Sequence, residues 1–380
     1  MKVSIVKCNS YDEKEVLEAV KKSLDLINYK IPKNKKILLK PNCLGYFKGQ
    51  SQIAISTNIS IIKSVMTIFK DNKLYIGDSA GQGNTEKVLR DLRFFDLKNI
   101  EVVNFDKAPK TLIDFNGHYL KKEYIPKIIT EVDLIINLPK LKTHSLTKYT
   151  GAIKNLYGLI PGGKKWTLHH TTGNELEFSK MLVEIFKTIK PQLNIMDGVI
   201  GMEGDGPSMG IKKNSNIILA CEDALSLDYI ASKTMGFNPL QDIKMIDLCY
   251  KENLNSEIQV IGEKDLTLSY LKPSTTTQGL VRYLPSFIRK KIFDYKKLAV
   301  DKEKCMKCGL CAKVCPVDAI TYNPYPVWDF KKCIRCHCCM ESCPYHAIYL
   351  KESKFFQTGF KIARKIRNFR IGNSGVNYNK

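Results

Sequence analysis

Two copies of one cysteine phrase, CMKCGLCAKVCP at residues 305–316 and CIRCHCCMESCP at 333–344, decide how the C-terminal part of this chain folds. Each reads C-x2-C-x2-C-x3-C-P, and each runs on into an Ala-Ile pair, in CPVDAI (315–320) and CPYHAI (343–348). The segment is therefore an internal duplication. It gathers nine of the chain's 13 cysteines between Cys305 and Cys343. Clustered thiols in a chain expected to be cytoplasmic read as metal ligands rather than disulfides. Four evenly stepped thiolates followed by proline suit soft iron in a cubane, whereas zinc sites usually combine two separated pairs. Cys338, beside Cys339, is a ninth thiol outside the pattern, expected as a shielded free cysteine.

About 50 residues around these phrases resemble the bacterial two-4Fe-4S ferredoxin fold, a small α+β domain. In that fold the fourth cysteine of each run, turned away by its proline, serves the other cluster. Carried onto this sequence, the resemblance assigns Cys305, Cys308, Cys311 and Cys343 to one cluster. It assigns Cys315, Cys333, Cys336 and Cys339 to the other. A one-electron wire is what such a pair implies.

The 380 residues carry 60 Lys+Arg against 38 Asp+Glu, a formal charge of +22, with 44% hydrophobic residues. That composition can build a sizeable core and leaves a basic surface for anionic partners. No run of eighteen apolar residues occurs, and MKVSIVKCNSYDEKEV turns polar too early for a signal sequence, so a cytoplasmic protein is expected. Ahead of the cysteines, strand-like runs (KVSIVK, KKILLKPN, KLYIGDSAG, EVVNF, VDLIINLPKLKTH, LNIMDGVIG) alternate with helix-like ones (DEKEVLEAVKKSLDLI, TNISIIKSVMTIFKDN, NTEKVLRDLRFF). Such alternation predicts an α/β fold with a mixed or parallel sheet covered by helices. The expected divisions are an α/β domain over 1–265, a linker and basic helix over 266–300, the cysteine module over 301–350 and a basic tail over 351–380.

The chemistry-bearing residues concentrate in LPKLKTHSLTKYTGAIKNLYGLIPGGKKWTLHH (138–170), read as polar loop following a strand. Lys140, Lys142, Thr143, Lys154 and Asn155 are candidate anion binders there, and His144, His169 and His170 are candidate acid–base groups. KPN adds Lys40, GDSAGQGN (77–84) adds Asp78, and DGVIGMEGDGPSMG (197–210) adds Asp197 and Glu203. The glycine loop matches neither G-x-G-x-x-G nor a Walker sequence, so no flavin or nucleotide is assigned. KPN, GDSAG, LPKLKTH, KNLYG, PGGKK and DGVIGMEGDGP together resemble a bacterial and archaeal family labelled domain of unknown function 362, often fused to a ferredoxin module. The resemblance implies this architecture and a pocket, without a substrate.

Three functions follow as expectations. The first is an oxidoreductase passing single electrons through two 4Fe-4S clusters to an anionic substrate or cofactor in the α/β crevice. The second is a ferredoxin-like carrier or adaptor docking a redox partner such as a ferredoxin or flavoprotein. The third, nucleic-acid binding with structural clusters, lacks any recognised nucleic-acid module. The tail FKIARKIRNFR is expected either to touch an anionic membrane peripherally or to pack on its own domain.

Overall fold

The computed structural model describes residues 1–45, 52–81, 83–172, 174–273, 296–315, 317–333, 338–341, 343, 345 and 347–352. The expectations for the tail, for most of the linker and for Cys336 lie outside these residues.

A ten-stranded mixed sheet forms the N-terminal part, with the order β12-β1-β11-β10-β7-β2-β3-β4 and β8 and β9 branching from β10. Its centre is parallel: β2 (Lys36–Pro41) lies between β3 (Lys73–Asp78) and β7 (Leu134–Leu138), with β4 (Glu101–Asn104) beyond β3. These strands read as unbroken apolar runs because both faces are covered. Ile37 and Leu39 face one core with helix α1 (Glu13–Leu26) and α3 (Ile59–Ile68), while Leu38 faces the other with α8 (Glu175–Thr188) and α9 (Ala224–Thr234). Asn58 caps α3, its side chain accepting from the Ser60 N–H. On the far side, β1 (Lys2–Lys7) and β10 (Leu193–Glu203) run antiparallel to β11 (Ile211–Cys221), and β12 (Gln259–Gly262) closes the edge parallel to β1. Packing continues past residue 265: Tyr270 is buried in the core and the Leu271 N–H reaches Glu203.

The stretch read as polar loop is largely regular structure. Lys140–His144 is a buried strand (β8) pairing with β9 (Lys148–Thr150), and helices α6 (Ala152–Asn155) and α7 (Gly162–Thr172) follow. Its buried lysines, Lys140, Lys142 and Lys165, tolerate burial because each ammonium finds an oxygen acceptor inside.

The cysteine module repeats its elements at the spacing of its sequence. Helix α12 (Leu310–Lys313) and strand β14 (Ile320–Tyr322) belong to the first copy; helix α13 (Cys338–Glu341) and strand β16 (Ile348–Glu352) belong to the second. The strands exchange: β13 (Lys296–Val300) pairs with β16, and β14 pairs with β15 (Pro326–Trp328), so each two-stranded sheet takes one strand from either copy. Leu298, Ile320, Trp328, Met340 and Ile348 form the shared core. No helix among the described residues is long and apolar enough to cross a membrane.

Candidate functional site

The carboxyl ends of β2 and β3 open into a cleft of about 90 Å³, lined by Lys40, Asn42, Asp78, Ser79, His144, Lys154, Asn155, Tyr157, Lys165 and His169 among others. In open α/β sheets ligands bind at such strand ends. Its floor is a buried ion pair, Lys40 Nζ to Asp78 Oδ1 at 2.9 Å, both side chains essentially without solvent exposure. Asp78 also accepts from the Cys43 N–H (2.9 Å) and the Ser79 N–H (2.8 Å), so the carboxylate's charge is distributed over fixed donors. Gly158 closes over this pair; a Cβ there would lie 2.1 Å from Asp78 Oδ1 and 2.5 Å from Lys40 Nζ. The glycine of KNLYG is thus required by the ion pair beneath it.

Lys165 enters from α7, its Nζ donating to the carbonyl and hydroxyl of Ser79 (2.5 and 2.8 Å). The Ser79 hydroxyl donates in turn to Asp106 Oδ1 (2.6 Å). Burial pushes the Lys165 ammonium down to about 8, with Asp78 and Asp106 partly restoring it. For Asp106 burial acts upward, but hydrogen bonds from Ser79, Thr85 and the Gly162 N–H outweigh it and hold the carboxyl below its usual range. The backbone N–H groups of Ser79, Ala80 and Gly81 are consumed by Asp78, Thr85 and Cys43. The GDSAGQGN loop therefore does not offer those three amides to a phosphate, in keeping with its mismatch to nucleotide signatures.

The two lining histidines differ. His144 Nδ1 accepts from the Leu146 N–H (3.0 Å), which places the proton of the neutral ring on Nε2. His169 stacks on Phe178 (centroids 4.4 Å apart), with Tyr157 edge-on at 5.8 Å. The residue is only partly covered, yet its Nδ1 is buried without a hydrogen-bond partner. Burial, then Lys154 and Lys165, push this ring down to about 3, so His169 stays neutral at any physiological pH. His170 lies on α7, its side chain outside the described ones.

A file of carboxamides backs the cleft wall. Lys142 Nζ donates to Asn42 Oδ1 (2.8 Å) and to the Ile55 carbonyl (2.7 Å). Asn42 Nδ2 donates to Asn155 Oδ1 (3.0 Å), Asn155 Nδ2 to Asn137 Oδ1 (2.7 Å), and Asn137 Nδ2 to Asn194 Oδ1 (2.9 Å). All point one way from a buried cation, an order in which each bond polarises the next. Behind Lys154 and Asn155, buried Asp228 accepts from the Ala152 N–H (2.6 Å), the Ile153 N–H (2.9 Å) and the Tyr149 hydroxyl (2.8 Å), anchoring the first turn of α6. Burial pushes Asp228 up to about 7, against those three donors.

Lys40, Asp78, Lys154, Asn155, His144 and His169 are thus brought together, with Lys142 one contact behind. Four others stand apart from this cleft's lining. Lys140 pairs with Asp197 (2.8 Å) in a network with the Tyr11 hydroxyl that ties β8 to α3 through the Asn58 N–H. Burial lowers Lys140 despite its partner. Thr143 bonds the Met202 carbonyl (3.3 Å), and Glu203 holds the Leu271 N–H (3.0 Å) and faces Lys213 (3.5 Å).

In the cysteine module, Cys305, Cys308, Cys311 and Cys343 line one pocket with Met306, Tyr322 and Tyr345. Among the described residues no three ligating side chains converge as they would on a single ion. A cubane takes one thiolate on each iron, so its ligands stand further apart, and four sulfurs around one apolar pocket fit it. The Ala319 N–H donates to Cys315 Sγ (3.2 Å) and the Ala347 N–H to Cys343 Sγ (3.3 Å), equivalent bonds in the two copies. Such bonds tune a cluster's potential.

Residues 37–233, which hold every lining residue of the cleft, match the model of a family described as a domain of unknown function (DUF362). The chain belongs to this family. Beyond the DUF362 region, residues 298–321 and 326–349 each match the 4Fe-4S binding domain, which gives the chain an iron–sulfur electron-transfer role. A thylakoid-associated protein of Synechocystis sp. is 30% identical over 251 residues, covering 62% of this chain and 75% of its own. Among solved structures, a Thermotoga maritima protein aligns with a TM-score of 0.40 at 13% identity, over 61% of this chain and 60% of that one. The lactate racemase apoprotein of Thermoanaerobacterium thermosaccharolyticum aligns with a TM-score of 0.38 at 15% identity, over 60% and 57%. The chain spans under two thirds of either structure.

Sequence reasoning left Asp106 and Asp228 out of the DUF362 site. Both lie far from the quoted motifs, and their roles come from contacts made across the fold. Asn42, Ser79 and Lys165 stood inside the motifs KPN, GDSAG and PGGKK, which was the available signal.

Proposed function

We propose that this DUF362 chain is an iron–sulfur oxidoreductase that delivers single electrons to a small anionic substrate or cofactor held in the cleft. Two 4Fe-4S clusters, one on Cys305, Cys308, Cys311 and Cys343 and the other on Cys315, Cys333, Cys336 and Cys339, would supply those electrons. The observation that carries the reading is a short physical link. Pro207 lines the cleft, and Met209, two residues on, packs against the core of the cysteine module. The cleft's own residues suit an anion: Lys40, Lys154 and Lys165 outnumber Asp78, and even with Asp106 behind Ser79 the balance stays positive in a partly dry space. Neutral His169 forms an aromatic wall of the cleft, and His144, with its proton on Nε2, is placed to donate a hydrogen bond to the bound anion.

A redox partner protein, such as a ferredoxin or flavoprotein, is the source of electrons. The relative described as thylakoid-associated supports adding peripheral membrane contact to this reading. The test is anaerobic. Protein carrying its full iron is reduced, mixed with a panel of small carboxylates, phosphates and oxidised cofactors, and followed by absorbance and EPR. One acceptor should reoxidise the wild type, and Lys154→Met and His144→Asn should lose that reaction while keeping their iron. Electron release to proteins alone, unchanged by either substitution, would instead establish the carrier reading.

A further inference from the structure

The pocket lined by Cys305, Cys308, Cys311 and Cys343 reaches the surface. Cys308 is exposed, and two apolar side chains on the pocket's rim, Met306 and Tyr345, are 63% and 47% exposed. Both are large hydrophobic residues left in water beside a functional thiol, a pattern that marks an interaction site. Charge surrounds them unevenly. Lys302 and Lys307 both lie over the Tyr325 ring, each 5.3 Å from its centroid. Lys304 is paired with Asp301, and Glu303 is the remaining acid of that turn. Tyr322, which also lines the pocket, donates its hydroxyl to the Lys307 carbonyl and pins the turn carrying that lysine. The rim is therefore an apolar centre with ammonium groups held beside it. This is the arrangement of an interface that orients by charge and closes on hydrophobic contact.

We infer that the Met306–Tyr345 rim, flanked by Lys302 and Lys307, is the docking face for an acidic one-electron carrier protein. This deepens the oxidoreductase reading by naming where electrons enter and the chemistry of the protein that brings them. Met209 ties the module to the α/β region, and Pro207 beside it leads to the cleft. The exposed rim is then the entrance and the Met209 contact lies on the way out. The chain's excess of positive charge, +22 overall, favours a carrier of opposite sign.

The test uses an acidic flavodoxin as probe and the full, iron-loaded chain, with binding measured by calorimetry from low to high salt. Wild type should bind more weakly as salt rises. Lys302→Glu and Met306→Ala should weaken binding roughly tenfold or more, as substitutions at an oriented charge or a buried anchor do. Lys307 has a left-handed backbone (φ 54°), so Lys307→Asn is the variant to use there, since asparagine tolerates that conformation. Lys21→Glu, on an exposed face of α1 far along the chain, changes net charge equally and should leave affinity within about twofold. The inference is overturned if Lys21→Glu weakens binding as much as Lys302→Glu, or if Met306→Ala and Lys307→Asn leave it unchanged. Substrate turnover in the cleft with a chemical reductant is a separate measurement. Its failure would remove the oxidoreductase reading while leaving this interface intact.

Discussion

Replacing Gly158 by alanine puts the buried ion pair to a direct test. The added methyl carbon would sit 2.1 Å from Asp78 Oδ1 and 2.5 Å from Lys40 Nζ, each more than half an ångström inside ordinary contact. Neither partner can retreat freely, because Asp78 also holds the N–H groups of Cys43 and Ser79 and Lys40 also bonds the Pro41 carbonyl. The 2.9 Å pair must open where no water can compensate. Breaking a buried pair costs about 3–5 kcal/mol, most of it from the uncompensated charge left behind. Gly158→Ala should therefore lose at least about 3 kcal/mol from the α/β transition in urea, followed by circular dichroism at constant iron content. The same change in a Lys40→Met, Asp78→Leu background, where no charge remains to be separated, should cost under about 1.5 kcal/mol. Equal losses in the two backgrounds, or a loss below about 1 kcal/mol in the wild type, would refute the claim that the glycine exists to accommodate the ion pair.

Further outcomes follow from the same geometry. Lys165 has its folded-state value lowered to about 8, so between there and its ordinary 10.5 the unfolded chain holds the proton more tightly. Its contribution makes stability rise with pH across that window, by up to about 3 kcal/mol, and subtracting the Lys165→Met curve from wild type should isolate the rise. Anion affinity of the cleft should move oppositely, falling as pH passes about 8 in titrations with a small dicarboxylate, and the fall should vanish in Lys165→Met. Asp228→Asn turns one of two acceptor oxygens into a donor that faces at least one of the three donors, and should destabilise by about 1–3 kcal/mol in the same urea experiment while weakening ligands that touch Lys154. Nitrogen-15 NMR of the His144 ring should show the proton on Nε2; a protonated Nδ1 would contradict its acceptance from the Leu146 N–H. Cys308→Ser and Cys343→Ser should diminish the same EPR component, because the two side chains line one pocket despite coming from different copies.

Local pattern made much of this legible. Strands buried on both faces advertise themselves as runs such as ILL and LIIN, and the repeat at Cys305 and Cys333 announces its own fold. The lysines of LPKLKTH show where such reading stops. From sequence, a lysine every second residue looks like a wet, ligand-facing loop. In the fold Lys140 and Lys142 are each 1% exposed, held by Asp197, Asn42 and a carbonyl contributed by distant segments. Burial of a charge depends on partners that are remote in the chain, so composition alone cannot separate a structural lysine from a binding one. Asp106 illustrates the converse: an acid in an ordinary strand-end turn is tied to the cleft residue Ser79 only because Ser79 and the Gly162 N–H meet over it.

The exchange of strands between the two cysteine copies has a consequence for how this protein can be made. On a ribosome, the pocket begun by Cys305 stays incomplete until Cys343 has left the exit tunnel, and β13 waits for β16 until residue 352 follows. Both cysteine copies must therefore be synthesised before the module can close. A polypeptide cut short at Asn323 would release a half with an unfilled edge and four orphan thiols, Cys305, Cys308, Cys311 and Cys315, whose readiest remedy is a second such half.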